Sequence, residues 1–121
     1  MVKSKKAKSV KEDLASKACV PCHGGVPRLK TRAIRRYAAE VPGWKVVNEH
    51  YLRRRYEFWD FRDALSFVRR VGRVAEEEGH HPDICFGWGY CVLTIYTHAV
   101  GGLTESDFIL AAKIDRLRIT Y

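Results

Sequence analysis

The sequence predicts an α+β fold: a four-stranded antiparallel sheet with three helices packed on one face, in the order α-β-β-α-β-β-α. Its 121 residues suit one domain with one hydrophobic core. Hydrophobic residues make up 46% of the chain and charged residues 30%, a balance typical of globular proteins. Segments in which apolar residues recur at helical spacing and segments in which they alternate follow one another in that order.

The N-terminal segment carries half of the positive charge. Six lysines against two acidic residues give residues 1–18 a charge of +4, out of +8 for the whole chain. We therefore expect residues 1–27 to form a basic, flexible extension and residues 28–121 to form the folded domain. Such an extension attracts nucleic acid or anionic surfaces without specificity. A solvated leader is the favoured interpretation, and no nucleic-acid partner is expected.

The same segment has neither the apolar core of a secretory signal nor the arginines of a transit peptide, and no apolar run approaches the roughly 20 residues that cross a bilayer. A cytoplasmic protein without membrane contact is expected, and its cysteines should be thiols. Cys85 and Cys91 are expected to pack as small apolar groups. Cys19 and Cys22 form a CxxC motif, interpreted first as an unpaired loop and second as a weak metal or redox site.

The first half of the domain is predicted to hold a helix and a β-hairpin. Thr31 is a suitable N-cap for a helix that runs to Glu40, and residues 41–43, Val-Pro-Gly, end it. Residues 44–47 are rich in aromatic and β-branched side chains, and residues 51–58 alternate in character. They are predicted as two strands joined by a three-residue turn.

The second helix has the clearest signals at its ends. Asp60 is a suitable N-cap, and Gly79 suits the left-handed conformation that follows a helix C terminus. The apolar residues between them recur at helical spacing. The side expected to face the sheet consists of Phe61, Ala64, Leu65, Val68, Val71 and Ala75.

Two strands and a last helix complete the predicted order. Strand-forming residues extend from 83 to 98, and Gly87-Trp88-Gly89 divides them with a turn or bulge. Thr104 and Asp107 have the spacing of a capping box at the start of the last helix. Its buried side is predicted to contain Phe108, Ala111 and Ile114.

Three histidines lie where regular elements are expected to end. His80 and His81 follow the second helix, Pro82 keeps His81 extended, and His98 ends the last strand. Imidazole transfers protons near neutral pH, and the negative end of a helix dipole favours a protonated His80. Spacing alone leaves three alternatives open: ordinary surface histidines, acid–base catalysis, or a zinc site. A shared metal is the least favoured, since neighbouring side chains of an extended segment point to opposite sides.

Residues 76–115 resemble the pterin-4a-carbinolamine dehydratase family. The family signature is an acidic residue, three spacers, His-His-Pro, an aromatic residue, a later histidine and then an aspartate. Pro42-Gly43-Trp44 and residues 58–67 are similar to the N-terminal half of the family, so the resemblance covers residues 28–117. The signature residues of this chain, in that order, are Glu76, His80, His81, Pro82, Trp88, His98 and Asp107.

The resemblance implies a hydro-lyase that dehydrates 4a-hydroxytetrahydrobiopterin, or a close relative, to the quinonoid dihydropterin. This reaction recycles the pterin cofactor of aromatic amino acid hydroxylases. The resemblance implies no metal, no organic cofactor, and a homodimer or homotetramer. His80 and His98 would act as acid and base, with His80 favoured as the proton donor, and His81 would bind and orient the pterin. The residues implied to contact the substrate are Gly79, His80, His81, Tyr96, Thr97, His98 and Ala99, and those implied to support them are Glu76, Pro82, Trp88 and Asp107.

Several alternatives stay open within the resemblance. Many members carry Asp at the position of Gly79 and an acidic residue at that of Ala99, so the preference for a pterin side chain is expected to be affected. Asp107 is interpreted equally as a capping residue and as a site residue, and Trp88 as core or interface rather than a stacking surface. Some family members also serve as a dimerisation cofactor of a homeodomain transcription factor, which is the runner-up function. A dehydratase-like role in molybdopterin metabolism is the third.

Overall fold

Three α-helices and four β-strands alternate along the part of the chain that the structure describes, residues 13–20 and 26–117 of a computed structural model. The predicted order α-β-β-α-β-β-α is confirmed, with two added single turns of 3-10 helix, Leu14–Ser16 and His98–Val100. In chain order the main elements are α1 (Thr31–Ala38), β1 (Lys45–Val47), β2 (Tyr51–Glu57), α2 (Phe61–Glu78), β3 (Asp83–Gly87), β4 (Tyr90–Ile95) and α3 (Glu105–Asp115).

The four strands form one antiparallel sheet in the order β1-β2-β4-β3. The central pair, β2 and β4, has a register that places Leu52 beside Ile95 and Tyr56 beside Cys91. These four side chains are buried on one face of the sheet, where they join the apolar side chains of the helices in a single core cluster. Buried and half-buried residues alternate along β4, as expected for a sheet covered on one face.

Local chemistry explains where the hairpin and α2 begin and end. In the β1–β2 turn, Asn48 and Glu49 have φ values of 52° and 54°, in the left-handed region that asparagine tolerates better than most residues. At the start of α2, Asp60 Oδ1 accepts the Asp63 N–H at 2.9 Å. At its end, Gly79 has a φ of 64°, where a side chain would be strained. Both predicted ends of α2 are confirmed.

The predicted boundaries of α1 are wrong at both ends. Lys30 occupies the N-cap position, and Thr31 is the first helical residue. The Thr31 hydroxyl instead donates to the Glu49 carboxylate at 2.9 Å, since the β1–β2 turn lies beside the helix start. The helix stops at Ala38, and Glu40 already lies in a turn.

The predicted end of the last strand is also wrong. β4 stops at Ile95 instead of continuing to His98. Thr97 forms an isolated bridge with Gly102, so the chain turns back on itself through the 3-10 helix that His98 begins. This turn places His98 on a short exposed segment between β4 and α3.

The face of α2 that meets the sheet differs from the prediction. The side chains of Phe61 and Leu65 are 45% and 37% exposed. Phe67, which the prediction left out, fills the core and lies 4.6 Å from the ring of Tyr56. The buried stripe is therefore displaced around the helix from the predicted one. It consists of Ala64, Phe67, Val71 and Ala75.

Two further expectations about burial are corrected around the β3–β4 hairpin. Cys91 is buried, but Cys85 is exposed, because alternate residues of β3 point away from the helices. Trp88 lies in the turn between the two strands and is 73% exposed. It is therefore not part of the core, and its interpretation as an interface residue stays a prediction.

Residues 13–20 pack along α3 and are part of the folded surface. Leu14 is buried in the same core cluster as the sheet, and Lys17 forms an ion pair with Glu105 at 2.6 Å. Residues 13–20 of the expected extension therefore contact the domain, and the flexibility of the extension stays a prediction. Residues 1–12 and 21–25, the latter including Cys22, lie outside the described residues. No helix that the structure describes has the length and apolar character that a membrane crossing needs.

Candidate active site

The residues predicted to contact the substrate line one cavity of about 270 Å³. One wall comes from the segment after α2, and the other comes from the segment between β4 and α3. Because β3 and β4 are antiparallel neighbours, the first residues of β3 and the last residues of β4 lie at the same end of the two strands. The lining consists of Gly79, His80, His81, Tyr96, Thr97, His98 and Ala99.

The left-handed turn at the end of α2 directs His80 toward α3. The His80 N–H still bonds to the Ala75 carbonyl at 3.2 Å, so Gly79 reverses the chain without freeing it from the helix. The imidazole is nearly buried, and its Nε2 lies 2.6 Å from Oδ1 of Asp107. The contact between His80 and Asp107 therefore joins the end of α2 to the start of α3.

Asp107 has no exposed surface and uses both of its carboxylate oxygens. Oδ2 accepts the Thr97 hydroxyl and the Thr104 N–H, each at 2.8 Å, and the latter bond completes a capping box with the Thr104 side chain. Oδ1 faces His80. The two alternatives for Asp107, capping and contact with the site, are therefore compatible, because each uses a different oxygen.

This arrangement determines which nitrogen of His80 can serve a ligand. A carboxylate offers only acceptors, so Nε2 must donate its hydrogen to Asp107. Nδ1 is then the ring nitrogen that can exchange a proton with a molecule in the cavity. The assignment follows from the hydrogen-bond partners, in the way that histidine tautomers are ordinarily inferred.

His98 lies across the cavity in a different environment. It is exposed, and its ring packs against Tyr96 with centroids 4.2 Å apart. Tyr96 in turn contacts His50, at 4.9 Å between ring centroids. Among the described residues, no hydrogen-bond partner engages the imidazole nitrogens of His98, so both are open to a ligand.

His81 forms an exposed pair with Glu76. Its Nε2 lies 2.7 Å from Glu76 Oε2, and the side chains are 59% and 78% exposed. An exposed pair of this kind contributes little to stability, but it restrains the His81 ring at the cavity rim. Glu76 therefore acts on the cavity only through His81.

Two predicted supporting residues lie outside the cavity lining. Pro82 is half-buried between the lining segment and β3. Trp88 lies at the far end of the β3–β4 hairpin, a strand length from the cavity. Their proposed supporting role is therefore not a matter of lining the cavity.

Sequence reasoning did not identify His50 as a neighbour of the site. It is the last residue of the β1–β2 turn and borders a second, larger cavity of about 490 Å³. Its contact with Tyr96 joins the walls of the two cavities. A single histidine in a turn carries no sequence signal for such a contact, which depends on the pairing of β2 with β4.

The donor set does not resemble a metal centre. The described residues contain no group of three or more His, Cys, Asp or Glu side chains arranged to hold a metal ion. In the CxxC motif, burial and the nearby Glu78 raise the pKa of the Cys19 thiol to about 12. At neutral pH and without a bound metal, the Cys19 thiol is therefore in its protonated, unreactive form.

Comparison with known proteins places these observations in a family. The family model for pterin 4 alpha carbinolamine dehydratase matches residues 27–117. A Rubrobacter xylanophilus protein named "Putative pterin-4-alpha-carbinolamine dehydratase" is 61% identical over 105 residues, covering 87% of this chain and 98% of its own length. A protein of the same name from Alkaliphilus metalliredigens is 46% identical over 105 residues, covering 86% and 95%.

Two solved structures share the fold. The transcriptional coactivator/pterin dehydratase from Brucella melitensis is 28% identical with a TM-score of 0.68, covering 73% of this chain and 95% of its own. A pterin dehydratase-like protein identified as a RuBisCO assembly factor in the alpha-carboxysome is 27% identical with a TM-score of 0.52, covering 60% and 86%. With a family model that spans most of the domain and a relative at 61% identity, this chain belongs to the pterin 4 alpha carbinolamine dehydratase family.

Proposed function

We propose that this protein removes water from 4a-hydroxytetrahydrobiopterin, or a close relative, to give the quinonoid dihydropterin. The reaction breaks the bond between C4a and its hydroxyl group. The departing oxygen takes up a proton, and the ring nitrogen beside C4a loses one. An acid and a base on opposite sides of the bicyclic ring would serve both transfers.

The observation that carries this proposal is the His80–Asp107 pair at the wall of a cavity that His98 also lines. The Asp107 carboxylate holds Nε2 of His80 and stabilises a positive imidazole, in the manner of the carboxylate in other His–Asp pairs. We therefore assign His80 as the acid that protonates the leaving hydroxyl through Nδ1. His98, which has no competing hydrogen bond within the described structure, is assigned as the base.

The size and chemistry of the cavity support a bicyclic substrate. A volume of about 270 Å³ lies just below the range of typical ligand pockets, roughly 300 to 1,000 Å³, which suits a small ligand. The exposed His81, restrained by Glu76 at 2.7 Å, would orient the pterin at the rim. We propose that the protein needs neither metal nor organic cofactor for this reaction, and that it works in the cytoplasm.

We also propose that the chain forms a homodimer or homotetramer. Apolar side chains remain exposed on α2 and on the neighbouring loops, a feature that marks association surfaces. Both outer strands of the sheet, β1 and β3, also offer unpaired edges. The exposed apolar residues of this region are Trp59, Phe61, Leu65 and Trp88.

A stopped-flow dehydration assay on freshly generated 4a-hydroxytetrahydropterin tests the proposed reaction. His80→Ala and His98→Ala should each lower kcat by about 10²- to 10⁴-fold, the usual contribution of a positioned acid or base. His81→Ala should mainly raise KM, since His81 binds rather than transfers protons. His23→Ala, outside the stretch that matches the family, is the matched control. Wild-type rates in both the His80 and His98 variants would overturn the proposal.

A further inference from the structure

Residues 13–20, which we call the strap, run across the two helices that carry the His80–Asp107 pair. The Cys19 N–H donates to Glu78 Oε1 at 2.9 Å, and Glu78 lies two residues before His80. The Val20 N–H donates to Ser106 Oγ at 2.9 Å, and Ser106 directly precedes Asp107.

Glu78, near the end of α2, contacts both the strap and α3. One carboxylate oxygen accepts the strap N–H, and the other lies 3.3 Å from Nζ of Lys113 on α3. Lys113 also donates to the Ala15 carbonyl of the strap at 3.0 Å. The side chain of Glu78 is only 15% exposed, so water competes little for these bonds. The end of α2, the strap and α3 are therefore joined through one carboxylate and one ammonium group.

The strap is anchored on α3 at points beyond this junction. Lys17 pairs with Glu105 at 2.6 Å, in the first turn of the helix. The Cys19 thiol lies 3.5 Å from the Ser106 carbonyl, and Leu14, the first residue of the strap's 3-10 turn, is buried in the core. The strap thus follows α3 along its length before it reaches α2.

The distance between His80 and Asp107 depends on how the end of α2 sits against the start of α3. We propose that the strap positions this pair, with Glu78 as the positioning residue that couples it to the helix end. Only the expected effect on the reaction rate rests on the proposed function; the positioning of the pair by the strap does not. Reacting groups tolerate little displacement, since a shift of about 1 Å can cost about 10²-fold in rate.

Point variants of the full chain test the proposal. Glu78→Ala removes both contacts and should lower kcat by about 10-fold with KM nearly unchanged, because the acid is misplaced while the binding surface is intact. Glu78→Gln keeps an oxygen for the Cys19 N–H and should recover most of the rate. The control is Glu77→Gln, at an exposed neighbouring position. The pH dependence of kcat should shift in Glu78→Ala and remain that of the wild type in the control. A loss of folded protein alone would lower the rate at every pH without shifting this profile.

A second measurement does not depend on the reaction. The Nε2 hydrogen of His80, held by Asp107 at 2.6 Å, should give a protected imidazole signal in NMR spectra of the wild-type protein. In Glu78→Ala this hydrogen should exchange with solvent at least about 10-fold faster, since local opening controls such exchange. An unchanged exchange rate together with an unchanged pH profile would overturn the proposal.

The two proposals fail in different ways. If the wild-type protein shows no dehydration, the proposed function fails, and the exchange of the His80 hydrogen still decides the role of the strap. If Glu78→Ala does not fold, Ser106→Ala replaces it. That change removes only the two bonds between the Ser106 hydroxyl and the backbone of Val20 and should produce a smaller shift in the same direction. Unchanged exchange in Ser106→Ala would then count against the strap.

Discussion

Nε2 of His80 lies 2.6 Å from Oδ1 of Asp107, and the second oxygen of the same carboxylate caps α3. The buried Asp107 side chain thus caps the start of α3 and also holds the imidazole of His80, the proposed acid. The donors on the two sides of Asp107 both require acceptors, and only a carboxylate has acceptors on both sides.

Asp107→Asn should therefore damage both functions of the residue. An amide places an NH₂ group either against the His80 Nε2–H or against the Thr97 hydroxyl and Thr104 N–H, so one side loses its acceptor. The buried mismatch should cost about 1–3 kcal/mol of unfolding free energy, measured by urea denaturation. The dehydration kcat should fall by about 10²-fold or more. Asp83→Asn, at an exposed position, should leave both quantities near wild type; equal losses in the two variants would contradict the prediction.

The parts of the fold that the sequence predicts are those with local causes. Asp60 and Gly79 limit α2 through contacts within a few residues, and the capping box of α3 spans only four positions. At these ends the local signal agrees with the tertiary structure, whereas at Thr31 a contact with Glu49 overrides it. The lining of the cavity is expected from the resemblance to the family. Local signals place only one of its two segments, because Gly79 marks the end of α2 correctly whereas β4 ends before the predicted His98.

The strap could not be predicted, because its contacts join residues far apart in sequence. The N–H groups of Cys19 and Val20 bond to side chains 59 and 86 positions away, and no local pattern encodes these pairs. The prediction of the buried face of α2 was wrong for another reason. Phe61 and Leu65 offer an apolar stripe next to the one that contains Phe67, and composition does not distinguish which stripe meets the sheet.

The misassigned stripe leads to a prediction about association. Leu65→Asp should convert an oligomer to smaller species in size-exclusion chromatography with light scattering, because it places a charge on an exposed apolar face. The folded monomer should lose no more than about 0.5 kcal/mol, as is usual for surface positions. Ser66→Asp, exposed on a different side of α2, is the matched control. An unchanged mass for Leu65→Asp would exclude this face from the interface.

The cysteines should differ sharply in reactivity. Burial raises the pKa of Cys91 to about 11 and, together with Glu78, that of Cys19 to about 12. At pH 8 both thiols therefore stay almost entirely protonated, and the thiolate is the reactive form. Of the three cysteines among the described residues, iodoacetamide should therefore modify the exposed Cys85 first, as measured over time by mass mapping of their peptides. Cys85→Ser should remove this fast phase, and rapid labelling of Cys19 in the native protein would contradict the assignment.

The stability contributed by Glu78 should depend on pH in one direction. Burial by itself would raise the pKa of Glu78, but the bonds from the Cys19 N–H and the Lys113 ammonium outweigh it and hold the pKa below its ordinary value of 4.5. A carboxyl group with a lower pKa in the folded state stabilises the fold above its unfolded pKa, and this contribution is lost as the pH falls through the folded value. Urea unfolding of the wild type and Glu78→Gln should therefore differ most at neutral pH and converge in acid. Glu77→Gln should follow the wild type throughout, and a gap for Glu78→Gln that widens in acid would show that the carboxylate is not held by these two bonds.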